Sequence, residues 1–182
     1  MLERDRAALR ELLSGVRYGP LVIARNDAYD IDAVVKPSLF SRFAIACRYV
    51  LVGLGTLMPT WAAKAFFYRL AGVKVGSRVC ISPGVVIDPL YPSLIELEDG
   101  CCLGMGCRLF THEYTATSFR AGRIRIGKGS VIGAYSMIRS GVSVGRGATV
   151  GAMSFVNRDV PDGETVAGVP AKPVKRSRED TP

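Results

Sequence analysis

The sequence contains a run in which the same residue classes recur every six positions. It reads IGKGSV IGAYSM IRSGVS VGRGAT VGAMSF VNRDVP over residues 126–161. The first position of each hexad is a β-branched aliphatic residue, and the fifth is small or β-branched. The first positions are Ile126, Ile132, Ile138, Val144, Val150 and Val156, and the fifth are Ser130, Ser136, Val142, Ala148, Ser154 and Val160. Six successive units in register constrain the fold more than any other feature of the chain.

A period of six matches neither a helix, which repeats near 3.6, nor a strand, which repeats near 2. A chain that forms a short strand, turns a corner and repeats the pattern has this period. The aliphatic side chain then points inward, and glycine at the corner permits a positive φ. Three such sides close one coil, and stacked coils pair their backbones, so the repeat predicts a mainly β fold, a parallel β-helix.

The same period is present earlier in the chain, with two interruptions. Val75, Ile81 and Ile87 head three units before PLYPS breaks the phase. Leu97, Leu103 and Leu109 head three more units before a second break at 110–125. We therefore predict a helical and loop segment over 1–72, a β-helix over 73–170 and a basic tail over 171–182.

The segment 1–72 carries two kinds of pattern. Residues 2–13 predict a short amphipathic helix, and an acidic cluster within 26–32 is expected to be an exposed loop. Residues 39–58 are apolar and long enough for a bilayer, but Arg42 and Arg48 disfavour a simple transmembrane span. Thr60 can cap a second helix that Gly72 ends.

The second helix has Trp61, Ala65, Phe66 and Leu70 on its apolar side, with Lys64 and Tyr68 together on another side. Two apolar helices rimmed by basic and aromatic residues fit a peripheral membrane contact. They equally fit a helical cap packed on the β-helix or on another subunit. Both interpretations of 39–71 stay open at this point.

Composition limits the function classes. The net charge of +8, from 24 basic and 16 acidic residues, suits an anionic partner, but no nucleic-acid motif is present. The five cysteines form no CxxC pair and the chain has one histidine, so we expect no metal site. Cys101 and Cys107 fall on fifth positions and are expected in the core. The charged, amphipathic start is not a signal peptide, so we expect a cytoplasmic protein, peripheral to the inner membrane face if 39–71 contacts lipid.

The repeat and the C-terminal pattern VGAMSFVNRDVPDGETVAGVPAKPVK resemble the hexapeptide-repeat acyltransferases, most closely the sugar and exopolysaccharide O-acetyltransferases. The resemblance covers about the last 110 residues. It implies a left-handed parallel β-helix with coils of about eighteen residues. It also implies a homotrimer that binds acetyl-CoA in the groove between neighbouring subunits.

The second break holds His112, the only histidine. A neutral imidazole suits proton abstraction at cellular pH, although a single histidine in a loop is commonly just a polar surface residue. The resemblance favours catalysis, because His112 stands where the family carries its catalytic histidine. Adjacent Glu113 is expected to face water, since neighbouring side chains of a strand point apart.

The resemblance also implies a set of residues that bind CoA. The backbone of Gly133, Ala134 and Ala152 is expected to line the pantetheine path, and Asn157 and Arg158 are expected at the nucleotide phosphates. Lys172 and Lys175 are expected near the same end as phosphate-binding cations.

The chain departs from the sugar acetyltransferases at two positions. The coil before His112 has no asparagine, and Val131 stands where a tryptophan often follows the loop. The acceptor is therefore expected to differ from those of galactoside and maltose enzymes, and a small-molecule or lipid-linked sugar fits the apolar segment 39–71.

The sequence thus predicts a CoA-dependent O-acyltransferase that moves an acetyl or other short acyl group to a sugar hydroxyl. Two alternatives stay open: an acyl carrier protein as the donor, which the positive charge would suit, and a trimeric β-helix scaffold without catalysis. A zinc carbonic anhydrase of the same fold would need three histidine ligands, and this chain has one.

Overall fold

The structure, a computed structural model, describes residues 2–14, 21–24, 39–115 and 118–174. Its main body is a parallel β-helix with three flat faces, each formed by short strands from successive coils. The described parts of the N-terminal segment, which include helices and a strand, pack on the early coils and their insertions.

Each face has its own column of strands. Face 1 contains β2 (Lys74–Val75), β5 (Ile95–Leu97), β10 (Ile124–Ile126) and β13 (Ser143–Val144). Face 2 contains β3 (Cys80–Ile81), β6 (Cys102–Leu103), β11 (Val131–Ile132), β14 (Thr149–Val150), β16 (Thr165–Ala167) and β17 (Lys172–Pro173). Face 3 contains β4 (Val86–Ile87), β7 (Arg108–Leu109), β12 (Met137–Ile138) and β15 (Phe155–Val156).

The register of the last coils confirms the six-residue repeat. Ile126 pairs with Val144, eighteen residues further along, and Ile138 pairs in the same way with Val156. The first and fifth positions of the 126–161 run are all buried, and so are Cys101 and Cys107. Burial raises the pKa of both thiols to about 12, which keeps them neutral. The corners turn at glycines such as Gly129 and Gly147, whose φ angles are 66° and 62°.

The two interruptions of the repeat leave the β-helix at the same place. Ile87 pairs with Leu109 and Leu109 with Ile138, so the extra residues of both coils follow face 3. The first insertion includes a 3₁₀ turn at Pro92–Leu94. The second forms an antiparallel hairpin of β8 (His112–Tyr114) and β9 (Ser118–Ala121).

The described residues include three helices, α1 (Leu2–Ser14), α2 (Leu39–Leu57) and α3 (Trp61–Ala71). Thr60 caps α3 by accepting a hydrogen bond from the amide of Ala63, and Gly72 ends it in a left-handed conformation, as predicted. Among the described residues, no helix combines the length and the apolar content needed to span a bilayer.

The orientation of α3 differs from what its apolar pattern suggests. The side with Lys64, Ala65, Tyr68 and Ala71 is buried, whereas Trp61, Phe66 and Leu70 are exposed. Lys64 tolerates burial because its Nζ donates to the carbonyl of Thr56 at 2.9 Å, and Tyr68 Oη bonds the carbonyl of Val85. Polar atoms with buried partners therefore decide which side of α3 packs.

Two short strands lie in regions for which the sequence predicted none. Strand β1 (Leu21–Ala24) interrupts the segment predicted as helix and loop, and pairs antiparallel with β9. Strand β17 falls within the predicted tail and pairs antiparallel with β16. The acidic cluster of 26–32 lies outside the described residues.

Candidate active site

The two insertions stand one above the other on the corner that follows face 3. Because the coils stack in register, the residues after β4 and β7 emerge next to each other. The first insertion supplies Asp88 and Tyr91, and the second supplies Thr111 and His112. Residues far apart in sequence therefore meet at one corner of the β-helix.

Asp88 is fully buried and holds His112 directly. Its Oδ2 lies 2.5 Å from Nδ1 of His112, and it also accepts from the Thr111 amide at 2.9 Å and hydroxyl at 2.7 Å. Its other oxygen accepts from the Leu90 amide at 2.9 Å. The imidazole itself is 22% exposed, so the pair joins the interior to the surface.

The surroundings of Asp88 keep it ionised. Burial alone would raise the pKa of this carboxyl, but hydrogen bonds from His112, Thr111 and the Leu90 amide outweigh burial and hold the pKa below its ordinary value. An anionic Asp88 accepts the proton of Nδ1, so the lone pair of the neutral imidazole is on Nε2. This arrangement suits His112 to act as a base.

Aromatic rings surround the imidazole. The rings of Tyr91 and Tyr114 each lie 5.7 Å from that of His112 in edge-to-face orientation, and Phe119 lies at 6.5 Å. Tyr91 is buried, which raises the pKa of its hydroxyl and keeps it neutral, whereas Tyr114 is about half exposed. The base therefore sits in a partly dry, aromatic surrounding that is open on one side.

The N-terminal segment fixes the hairpin that carries His112. Strand β1 pairs with β9 to make a three-stranded antiparallel sheet. Leu12 of α1 packs in a small second core with Phe119 and Tyr91, and Arg123 donates to the carbonyl of Leu12 at 2.9 Å. The histidine thus lies on a supported strand.

Glu113 was expected to face water, but it is only 28% exposed and binds side chains of the next coil. Its carboxylate accepts hydrogen bonds from Nε of Arg139 at 3.0 Å and from the hydroxyl of Ser140 at 2.7 Å. Burial would raise the pKa of Glu113, but these hydrogen bonds lower it. The side chain does point away from His112, as alternation along a strand requires. The Glu113 side chain contacts the next coil. This contact could not be predicted from the sequence, because Arg139 and Ser140 are far from Glu113 along the chain.

The three small residues predicted to bind CoA form one column on the corner between faces 2 and 3. Gly133 and Ala134 follow β11, and Ala152 follows β14 one coil later. A Cβ added to Gly133 would lie 2.4 Å from the amide nitrogen of Ala152. Gly133 is therefore required for coil stacking, whatever else passes this corner.

The polar residues predicted to bind CoA come together elsewhere. Asn157, Arg158 and Lys172 line a cavity of about 380 Å³ that includes Pro170 and Pro173. Asn157 follows β15, so it belongs to the corner column of Asp88. Within one chain, this cavity and the column of small residues lie at different corners. Lys175 lies outside the described residues.

Asp88 is the functional candidate that the sequence analysis missed, although the repeat contained a signal for it. At the other corners, glycine commonly follows the aliphatic first position. After face 3, four different side chains take that place: Asp88, Phe110, Arg139 and Asn157. The loss of glycine in one column marks the corner that carries the candidate catalytic residues.

Comparisons with known proteins agree with this architecture. Residues 123–158 match the family model described as bacterial transferase hexapeptide (six repeats). A Bacillus subtilis (strain 168) protein named "Putative acetyltransferase YvoF" is 30% identical over 133 residues, covering 72% of this chain and 77% of that protein.

Solved structures share the fold at lower identity. A hexapeptide-repeat-containing acetyltransferase from Vibrio cholerae O1 biovar eltor, complexed with acetyl-CoA, matches with a TM-score of 0.63 and 18% identity over 94% of this chain and 98% of that chain. A maltose O-acetyltransferase from Clostridium difficile 630 matches with a TM-score of 0.62 and 16% identity over 78% and 90%. The predicted left-handed β-helix is confirmed by these likenesses. With its repeat, its three-faced fold and its Bacillus relative, the chain belongs to the hexapeptide-repeat acetyltransferases.

Proposed function

We propose that this enzyme transfers an acetyl group from acetyl-CoA to a hydroxyl of a sugar or related acceptor, with His112 as the general base and Asp88 as its positioning residue. The observation that carries the proposal is the 2.5 Å contact between the buried Asp88 carboxylate and Nδ1 of His112. Burying an ionised side chain lowers the stability of the folded state unless the charge has partners. Here its charge is directed at the one imidazole of the chain.

The reaction follows from the placement of the imidazole lone pair. Nε2 of His112 removes the proton of the acceptor hydroxyl as its oxygen attacks the thioester carbonyl. The tetrahedral intermediate collapses, the carbon–sulfur bond breaks, and the imidazolium returns the proton to the CoA sulfur. The products are an acetyl ester and the free thiol. Asp88 stays ionised throughout and stabilises the imidazolium, and a backbone N–H is the expected donor to the oxyanion.

The aromatic rings around His112 support a sugar as the acceptor class. The half-exposed ring of Tyr114 offers a surface beside the base, against which the apolar face of a pyranose can pack while its hydroxyls stay hydrated. The cluster that Glu113 forms with Arg139 and Ser140 of the next coil adds polar groups at the same corner. Such groups suit a polyhydroxylated acceptor better than an apolar one.

The proposal for CoA rests on family membership and on the charges near 157. The Vibrio relative holds acetyl-CoA, and the galactoside acetyltransferase that matches with a TM-score of 0.60 holds coenzyme A. In this chain, Arg158 and Lys172 are the cations proposed for the phosphates, with Asn157 beside them. The column at Gly133 is proposed for the pantetheine arm.

A homotrimer is part of the same proposal. The cavity at Arg158 and the column at Gly133 lie at different corners of one chain, so one extended cofactor reaches both most simply in a groove between two subunits. The acceptor hydroxyl at His112 would then meet a thioester held partly by a neighbouring copy.

The test is an acceptor-dependent release of the CoA thiol. The protein is incubated with acetyl-CoA and a panel of sugars, and products are analysed by mass spectrometry before and after mild alkali, which cleaves O-acetyl but not N-acetyl groups. We expect acetylated sugar that alkali removes. A parallel arm replaces acetyl-CoA with acetyl-loaded acyl carrier protein. Transfer only from the acyl carrier protein would identify that protein, and not acetyl-CoA, as the donor. No transfer in either arm would refute the proposal and favour a scaffold without catalysis.

A further inference from the structure

We propose that α2 and α3 form a docking surface for the anionic face of a lipid membrane. The surface, called here the apolar patch, consists of exposed large apolar side chains on the two helices. Its members are Phe43, Val50, Leu54, Leu57, Trp61, Phe66 and Leu70. This inference concerns attachment and does not depend on the acetyl transfer proposed above.

Most members of the patch lie on one side of the helix that carries them, and Phe66 and Leu70 of α3 are four residues apart. On α2, the exposed Phe43, Val50, Leu54 and Leu57 recur at spacings of three, four or seven, which places them along one side. The helices pack on each other, and α3 packs on β2 and β3 through its opposite side. The exposed side therefore has no partner among the described residues of the chain.

The exposed side chains are unusually large for a solvated surface. Leu57 is 79% exposed, Trp61 57% and Phe66 56%. Single exposed apolar residues are ordinary, but seven large ones on two helices that pack on each other indicate a contact with another surface. Tryptophan beside tyrosine and arginine is the composition that membrane interfaces favour.

The distribution of charge identifies the occupant. Residues 33–87 contain seven lysines and arginines and no aspartate or glutamate, whereas the remainder of the chain has seventeen basic and sixteen acidic residues. Nearly all of the net positive charge therefore lies in the part of the chain that contains the patch. Arg42 is exposed next to Phe43 of the patch, whereas the exposed Arg69 and Lys74 line a cavity together with Glu96, Glu98 and Asp99. Cations around an apolar surface complement anionic headgroups around acyl chains.

The same charge disfavours a second copy of the patch as its partner. The helices α2 and α3 contain arginine and lysine but no aspartate or glutamate, so in a contact where patch meets patch the cations of both copies would face each other and repel. A membrane with anionic lipids supplies the missing counter-charge together with an apolar layer.

The patch and the candidate active site lie at the same end of the β-helix. The backbone at Gly72, which ends α3, is close to Pro92 and Ser93 of the first insertion. Tyr91 of that insertion contacts the ring of His112. Docking through the patch would hold the end of the β-helix that carries His112 at the lipid surface.

Vesicle flotation tests the docking. Full-length protein is mixed with vesicles of phosphatidylcholine alone or of phosphatidylcholine with phosphatidylglycerol, and the floated fraction is measured. We expect flotation with the anionic vesicles that weakens as salt is raised. The triple variant Trp61→Ser/Phe66→Ser/Leu70→Ser should lower partitioning at least about a hundredfold, because three side chains lose their burial in lipid. Arg42→Gln should lower it about fivefold.

A matched control removes exposed apolar side chains elsewhere. Val131→Ser/Val174→Ser changes two exposed valines outside the patch and should float like wild type. Sedimentation without lipid then gives the oligomeric state of each protein, which we expect to be the same for the triple variant and for wild type. Wild type that does not float with anionic vesicles, or a triple variant that floats equally well, would overturn the proposal. A triple variant that dissociates without lipid would assign the patch to a subunit contact.

Discussion

Replacing Asp88 by asparagine tests the positioning of the base with a change of one atom. In the native site, one carboxylate oxygen accepts from Thr111 and His112, and the other accepts from the Leu90 amide. An amide has only one oxygen. If that oxygen faces Thr111 and His112, its NH₂ group opposes the Leu90 N–H. If it is flipped, NH₂ opposes the Thr111 amide and forces the imidazole proton onto Nε2.

The expected magnitudes follow from these two arrangements. Either one leaves a buried donor without an acceptor, so Asp88→Asn should cost about 1–3 kcal/mol of unfolding free energy. The flipped arrangement puts a proton where the lone pair is needed. The unflipped one loses the charge that stabilises the imidazolium. Loss of positioned base catalysis corresponds to a fall in kcat of about 10²–10⁴-fold.

The assay is the release of CoA thiol, with kcat and KM measured across pH. We expect kcat to fall by this factor while KM for acetyl-CoA changes little. In the residual activity of the variant, the ascending limb of the pH profile should lie at lower pH than in wild type. The control Glu113→Gln changes the neighbouring carboxylate, which bonds Arg139 and Ser140, and should keep the wild-type pH profile. Wild-type kcat and an unmoved limb in Asp88→Asn would refute the positioning role.

The pKa of Asp88 gives the same experiment a stability readout. Because this pKa is lowered in the folded protein, the ionised carboxylate stabilises the fold at pH values above the unfolded pKa of about 3.9. That contribution is lost as pH falls through the folded value. The stability difference between wild type and Asp88→Asn should therefore be full above about pH 5 and shrink below about pH 4.

Three further predictions concern the β-helix and the cofactor. Ile132→Asp places an unpaired charge in the core and should prevent stable folding, whereas Val131→Asp, on the exposed side of the same strand, should change the melting temperature little. Gly133→Ala should destabilise the fold by about 1–3 kcal/mol in denaturant titrations, since its Cβ meets the Ala152 backbone. Arg158→Glu should weaken CoA binding in calorimetry and reduce its salt dependence, and equal affinity at all salt concentrations would contradict the phosphate assignment.

The β-helix could be predicted because its information is local. The six residues of each hexad determine one strand, one corner and one inward-pointing residue. The first positions from Ile126 to Val156 are buried, as this period requires. The caps of α3 were likewise readable, since Thr60 and Gly72 act on the backbone next to them. Period and capping are both properties of neighbouring residues.

The contacts of the site could not be read in the same way. Asp88 meets His112 across 24 positions because two irregular insertions fold against each other, and nothing in either insertion alone specifies that contact. Glu113 meets Arg139 for a similar reason. The orientation of α3 could not be predicted either, because Lys64 is buried only through its hydrogen bond to one carbonyl of the preceding helix. Polar contacts between separate elements determine all three features.

The most direct test of the catalytic account is the pH dependence of kcat for wild type and His112→Ala. No other histidine is present to substitute for it. The account predicts that His112→Ala lowers kcat by about 10²–10⁴-fold, with CoA affinity nearly unchanged. It also predicts that the ascending limb of the wild-type pH profile is absent from the variant. Near-normal turnover in His112→Ala with the same limb would contradict it and assign the base to another group.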